Sequence, residues 1–309
     1  SINLMALKII FMGTPEFAIP ALRVLNSKHE ILCVYTQSPK KKSRGQKIIK
    51  SPIHLEAEKL KIPVRFPDKL NNEDEYKFIK ESNVKIVIVV AYGQIIPNKF
   101  LNIKNLIFLN VHASLLPKWR GAAPIQRSIM EMEEETGISI MKIVPKLDAG
   151  PYMIQRSVSI NEKDNHFSLS KRLSEVGAKL ILDALSIFEK KEFIFKDQDE
   201  KLATYAKKIS KKESEIDWNI PAKKLIAKIN GLSPYPGVWF KHNGKRIKII
   251  EAEISDNQGK KGEVITNDLV IGCQDKAIKI NLLQKEGKKI LKTKSFLAGY
   301  KIIKGDMLI

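Results

Sequence analysis

Val84-Lys-Ile-Val-Ile-Val-Val90 is β-branched and apolar at every position but one. A strand that is apolar on both faces has to be covered on both. The stretch therefore predicts a central strand of a parallel sheet with helices on either side. Outward toward the N-terminus, Leu7-Lys-Ile-Ile-Phe-Met12, Glu30-Ile-Leu-Cys-Val-Tyr35 and Val64-Arg-Phe66 read as further strands. Helical patterns fall between them over 18–27, 53–60 and 71–82. Outward toward the C-terminus come a buried run Leu106-Ile-Phe-Leu109, a helix over 122–133, a strand over 137–144 and a half-exposed alternating strand over 151–160. A long amphipathic helix follows over 167–190. Strands alternating with helices in this way predict a parallel α/β sheet. The first turn, Gly13-Thr-Pro-Glu-Phe-Ala18, opens a βα unit with Pro15 suited to a helix start. It is not Gly-x-Gly-x-x-Gly, so no dinucleotide is inferred.

Length and composition set the bounds. At 309 residues two domains are expected, and 43% apolar content fits a packed core rather than disorder. No apolar run is long enough to span a membrane. Ser1-Ile-Asn-Leu-Met5 lacks the charged and cleavable regions of a secretory signal, and Met5 is a candidate start. Cys33 and Cys273 form no metal or redox motif, which suits a reducing cytoplasm. The net charge is 54 − 34 = +20, which invites a polyanion. With 46 lysines to 8 arginines, the same excess is what an AT-rich genome writes on any surface. The distribution says more: 201–309 carries 23 − 11 = +12, against 31 − 23 = +8 for 1–200.

Beyond residue 190 the periodicity lapses. A linker is expected over 193–210, dividing a domain at 1–192 from one at 211–309. The second begins with a basic amphipathic helix carrying Lys223, Lys224 and Lys228, then the turn-rich Gly231-Leu-Ser-Pro-Tyr-Pro-Gly237. Short strands follow over 238–240, 246–250, 262–265, 269–271, 277–280 and 282–283, a pattern that predicts a small closed β-barrel.

Chemistry concentrates at the C-terminal ends of the first domain's strands, where open parallel sheets bind ligands. Asn110 and His112 are two apart at the end of the 106–109 strand, so their side chains share a face. Asp148 follows the next strand in Pro145-Lys-Leu-Asp-Ala-Gly150. A lone histidine is more often a packed core residue, and a lone aspartate in a turn is more often a cap. The density of polar residues in Asn110-Val-His-Ala-Ser-Leu-Leu-Pro-Lys-Trp-Arg-Gly121 favours a site. An amide can hold an oxyanion, an imidazole can move protons, and a carboxylate can orient the imidazole and favour its charge. No nucleophile elbow and no metal-ligand spacing accompany them. The set fits acyl transfer by direct attack of an amine on a carbonyl. On the same rim, Ala91-Tyr-Gly-Gln94 ends one strand, and a long loop over 36–52 ends another. That loop carries Lys40, Lys41, Lys42, Arg44, Lys47 and Lys50 with no acidic residue. It is either a solvated charge run or an arm for a phosphate backbone.

Asn-x-His, Ser-Leu-Leu-Pro, Arg-Gly-Ala-Ala-Pro-Ile-Gln126 and Leu-Asp-Ala-Gly150 resemble the 10-formyltetrahydrofolate-dependent formyltransferases. Gly-Thr-Pro-Glu-Phe-Ala18, the basic loop, Ala91-Tyr-Gly-Gln94 and Gly231-Leu-Ser-Pro-Tyr-Pro-Gly-Val-Trp239 are similar to the branch of that family that formylates initiator methionyl-tRNA. The resemblance spans nearly the whole chain. It implies a Rossmann-like formyltransferase domain followed by an OB-like β-barrel, and 10-formyltetrahydrofolate as formyl donor without a metal. It also implies a monomer that works away from membranes. Carried over, Asn110, His112 and Asp148 are catalytic, while Tyr92, Gly93, Ser114, Leu115, Leu116 and Pro117 line the folate site. The six cations would meet tRNA, with Arg44 foremost, and the barrel would hold the tRNA body. Pro151 departs from the family, many of whose members carry an acidic residue there. Two other readings stand beside this one: a formyltransferase for a small amine such as a sugar nucleotide, and an RNA-binding protein without turnover.

Overall fold

The computed structural model describes residues 6–309 except 43, 44 and 46. The expected tRNA contact Arg44 lies outside the described residues. The chain divides into two compact units, one of 1–121, 136–158 and 170–205, the other of 122–135, 159–169 and 206–309.

In the first unit, β1 (Lys8–Gly13), α1 (Ile19–Lys28) and β2 (Glu30–Tyr35) form the opening βαβ half. A hairpin of β3 (Lys40–Lys42) and β4 (Lys47–Ile49) precedes α2 (Pro52–Lys59), β5 (Val64–Arg65) and α3 (Glu73–Glu81). Then come β6 (Ile86–Val90), α4 (Asn98–Leu101) and β7 (Ile107–His112). After α5 (Pro124–Met130), which belongs to the other unit, β8 (Glu135–Lys142) and β9 (Tyr152–Ser159) complete a seven-stranded sheet of order β5-β2-β1-β6-β7-β8-β9. The long helix α6 (His166–Glu189) follows.

Five neighbours, β5 to β7, are parallel, with β6 buried at all five positions in the middle of the sheet. The order reverses between β1 and β6, where the Thr14 hydroxyl donates to the Tyr92 carbonyl at 2.6 Å and ties the two rim loops together. Gly177 lets α6 approach one face of the sheet: a Cβ there would stand 3.1 Å from Val111 Cγ1. Val111 alternates with Asn110 and His112, so that pair faces the opposite side.

Two expectations change. The parallel pattern stops at β7, because β8 pairs with it antiparallel, with His112 opposite Ser139 and Leu109 opposite Lys142. A parallel crossover would need a helix long enough to carry the chain back along the six residues of β7, roughly 20 Å. The seven-residue α5 rises only about 10 Å. The basic stretch expected as an open loop contains the β3–β4 hairpin, in which Lys40 opposes Ile49 and Lys41 opposes Ile48. Three consecutive lysines give a weak strand signal from sequence, and cross-strand pairing supplies what propensity does not.

In the second unit, α7 (Ala222–Leu232) packs on an antiparallel sheet of β10 (Val238–His242), β11 (Lys245–Ser255), β12 (Val270–Gly272), β13 (Ala277–Lys285) and β14 (Ile290–Lys292). A last helix, α8 (Thr293–Gly299), packs on β13 and β14. The order is β10-β11-β13-β12, with β14 on β13. Two irregular segments close the ring. Residues 262–265 bond to β12 through Gly262 N to Gly272 O and Ile265 N to Val270 O. The C-terminal residues bond to that segment through Val264 N to Asp306 O and Leu308 N to Gly262 O, and to β10 through Lys241 N to Ile309 O. The expected small barrel is therefore present, around Trp218, Leu225, Ile229, Phe240, Ile247, Ile249, Ile278 and Ile280. The strands expected at 277–280 and 282–283 are one, β13. Among the described residues no helix is long and apolar enough to cross a membrane.

Candidate active site

Asn110 and His112 leave β7 on one face, as the two-residue spacing requires. His112 is buried, and each of its ring nitrogens faces an oxygen. Nε2 lies 2.9 Å from the Trp119 carbonyl oxygen and Nδ1 lies 3.8 Å from Asp148 Oδ2. A carbonyl only accepts, so Nε2 carries a hydrogen and Nδ1 faces the carboxylate. The same Asp148 oxygen accepts from the Gly121 backbone N–H at 2.7 Å. The three residues expected to act together therefore meet on one rim, with the His112 ring and the Asp148 carboxylate 3.8 Å apart. Asn110 is half-buried, and among the described residues no hydrogen bond holds its amide.

Chain geometry here is tight. Trp119 and Asp148 both sit in the left-handed region, at φ 58° and 49°. Aspartate tolerates that region, whereas a bulky tryptophan reaches it only when its surroundings impose it. Gly150 meets a second demand: a Cβ there would fall 1.8 Å from the Lys142 carbonyl oxygen. The turn thus folds flat against the end of β8, and Lys142 N donates to Pro151 O at 2.9 Å.

The loop expected to line a folate site is fastened from beneath. Ser139 Oγ donates to the Ser114 carbonyl at 2.7 Å and accepts from Leu116 N and from Gln155 Nε2. The Ser114 side chain donates to the Lys118 carbonyl at 2.6 Å and is buried with Leu116, while Leu115 and Pro117 are half-buried. Tyr92 is buried, and Gly93 at φ 94° packs against Gln37. Lys40, Lys41, Lys47 and Lys50 are exposed, and Lys50 pairs with Glu58 at 2.6 Å.

Sequence reasoning missed Arg120 and the segment that holds it. Arg120 has no exposed surface, and its Nε donates to Gln198 Oε1 at 3.0 Å. Its terminal nitrogens grip both oxygens of Glu200, at 3.0 and 2.7 Å. That hydrogen bonding, with help from Lys146, holds the Glu200 carboxyl down at about 2. An arginine beside a glycine reads as surface, and its partners lie some 80 residues away, so no local signal reveals them. Among the described residues no group of His, Cys, Asp and Glu is placed to hold a metal ion.

The family described as Formyl transferase matches residues 7–185, and Formyl transferase, C-terminal domain matches residues 208–301. Fold and sequence together are those of a formyl-transferring enzyme with a folate-type donor. A methionyl-tRNA formyltransferase of Pelagibacter ubique is 51% identical over 98% of this chain and 99% of its own length. One from Rickettsia bellii is 40% identical over 96% of this chain and 97% of its own. The chain belongs to the methionyl-tRNA formyltransferase family. Solved structures share the fold at lower identity. An N-formyltransferase from Helicobacter canadensis, crystallised with folinic acid and dTDP-3-aminofucose, is 19% identical with a TM-score of 0.67, covering 91% of this chain and 100% of that one. HypX from Aquifex aeolicus with tetrahydrofolic acid is 19% identical with a TM-score of 0.66, covering 98% of this chain. This chain spans about half of HypX (49%).

Proposed function

We propose that the enzyme moves a formyl group from 10-formyltetrahydrofolate to the free amino group of methionyl-initiator tRNA, and that Asn110, His112 and Asp148 carry the chemistry. The observation that supports these roles is the placement of Asn110 and His112 on one face of β7, with Asp148 Oδ2 3.8 Å from His112 Nδ1. As the amine adds to the formyl carbon, negative charge gathers on the formyl oxygen and the Asn110 amide donates to it. The amine loses a proton to His112, whose open nitrogen is Nδ1, and Asp148 balances the charge of the imidazolium. The carbon–N10 bond then breaks, and N10 leaves with a proton returned by the ring. The products are formylmethionyl-tRNA and tetrahydrofolate.

Catalysis falls to residues 1–192 and acceptor holding to 211–309, with 193–210 between them. The donor is held by Tyr92, Gly93 and 114–117. Charge supports a tRNA acceptor: the strands of the β3–β4 hairpin carry Lys40, Lys41, Lys42 and Lys47 and no acidic residue, and 201–309 carries +12 (23 − 11). The same reading places the enzyme in the cytoplasm as a monomer. The test is to incubate the chain with 10-formyltetrahydrofolate and methionyl-tRNA, alongside an amino-sugar nucleotide as rival acceptor. Formylmethionyl-tRNA is the expected product. Formylated sugar with the tRNA untouched would overturn the reading.

A further inference from the structure

Both contacts of His112 come from residues whose backbone is in the left-handed region, Trp119 and Asp148. Left to themselves these two peptides would relax elsewhere, taking the Trp119 carbonyl and the Asp148 carboxylate away from the ring. One short segment holds them both. Trp119 N donates to Thr204 Oγ1 at 2.9 Å, Arg120 N donates to Thr204 O at 2.9 Å, and Thr204 N returns a bond to Pro117 O at 3.2 Å. On the other side, Gln198 Nε2 donates to the carbonyls of Asp148 and Gly150, at 2.7 and 2.6 Å. Arg120 ties the halves together through Gln198 Oε1. The orientation of the Gln198 amide is fixed by its partners, because carbonyls only accept and a guanidinium only donates.

We infer that Gln198, with Arg120 behind it, is a positioning residue for the reaction: it fixes the Asp148 turn and, through Arg120, the Trp119 peptide, and so sets the His112 ring. The inference rests on the catalytic reading of His112 and Asp148. The Gln198 side chain bonds to Arg120 and to the carbonyls of Asp148 and Gly150, not to the His112 ring. Its effect belongs on the rate of the chemical step rather than on binding of either substrate.

The experiment compares Gln198→Glu, Glu200→Gln and His112→Ala with the intact enzyme, measuring kcat, both KM values and the pH profile of kcat. Gln198→Glu keeps the acceptor for Arg120 but sets a carboxylate oxygen against two carbonyls. A misplacement of about 1 Å can cost on the order of a hundredfold in rate, so kcat is expected to fall about 30- to 100-fold while each KM stays within about twofold. The limb of the pH profile that reports His112 shifts as well. Glu200→Gln removes only the exposed charge behind Arg120, so it serves even if the buried variant fails to fold. It is expected to lower kcat severalfold with the same pH shift. Intact kcat and pH profile in both variants, with His112→Ala inactive, would overturn the positioning role while leaving the catalytic reading standing. A fall in kcat with no shift in the pH profile, tracking only the folded fraction, would overturn it too. Full turnover by His112→Ala would overturn both.

Discussion

His112 directs Nε2 at the carbonyl oxygen of Trp119 across 2.9 Å, so the tautomer of its neutral ring is set by a peptide group seven residues along the chain. A carbonyl cannot donate, which leaves Nδ1 as the nitrogen free to exchange protons. Nitrogen NMR of the histidine-labelled enzyme is expected to find neutral His112 protonated on Nε2. Protonation on Nδ1 would remove Nδ1 as the proton acceptor.

Gly150 is required for space, not for a left-handed φ. Its missing Cβ would otherwise sit 1.8 Å from the Lys142 carbonyl oxygen. Gly150→Ala is expected to lower stability by about 1–3 kcal/mol, the usual range for an overpacked site. Turnover should fall further than the lost stability explains, because Asp148 lies two residues away. Thermal melts and single-turnover rates read the two effects separately.

The second unit carries its own acid-sensitive joint. Glu213 accepts from Arg127 and from the Ser210 backbone N–H, and its carboxyl is held down at about 2, chiefly by the Arg127 hydrogen bond. A depressed acid stabilises the fold above its ordinary value of 4.5, and the gain is lost as pH falls from there toward about 2. Glu213→Gln should therefore lower Tm at pH 7, and the difference from the intact enzyme should shrink across that window. A Tm difference that holds constant from pH 7 down to about 2 would contradict it.

The β3–β4 hairpin makes a prediction in salt. Each lysine lying on a phosphate contributes about one to the slope of log affinity against log salt. Replacing Lys40, Lys41 and Lys47 with alanine is expected to weaken methionyl-tRNA use and flatten that slope by up to about three. An unchanged slope would make the hairpin solvated surface.

Much of this was readable from the chain. The apolar run at 84–90 fixed the centre of the sheet because burial on both faces leaves one environment for it. Asn110 and His112 declared a shared face by spacing alone. The direction of β8 was hidden, since it depends on the length of α5 rather than on any residue of the strand. Arg120 and Gln198 were hidden for a different reason: each looks like surface until the other is found, 78 residues away. The hairpin was masked by its lysines, whose pairing partners are what make it a sheet.

The central claim is that His112, with Asn110 and Asp148, performs the transfer. The most direct test is the single-turnover rate of formyl transfer to methionyl-tRNA by His112→Ala, with donor and acceptor both saturating. Loss of the proton-transfer group is expected to lower that rate about 10²- to 10⁴-fold while tRNA affinity is retained. A rate within about twofold of the intact enzyme, far smaller than any proton-transfer contribution, would contradict the account.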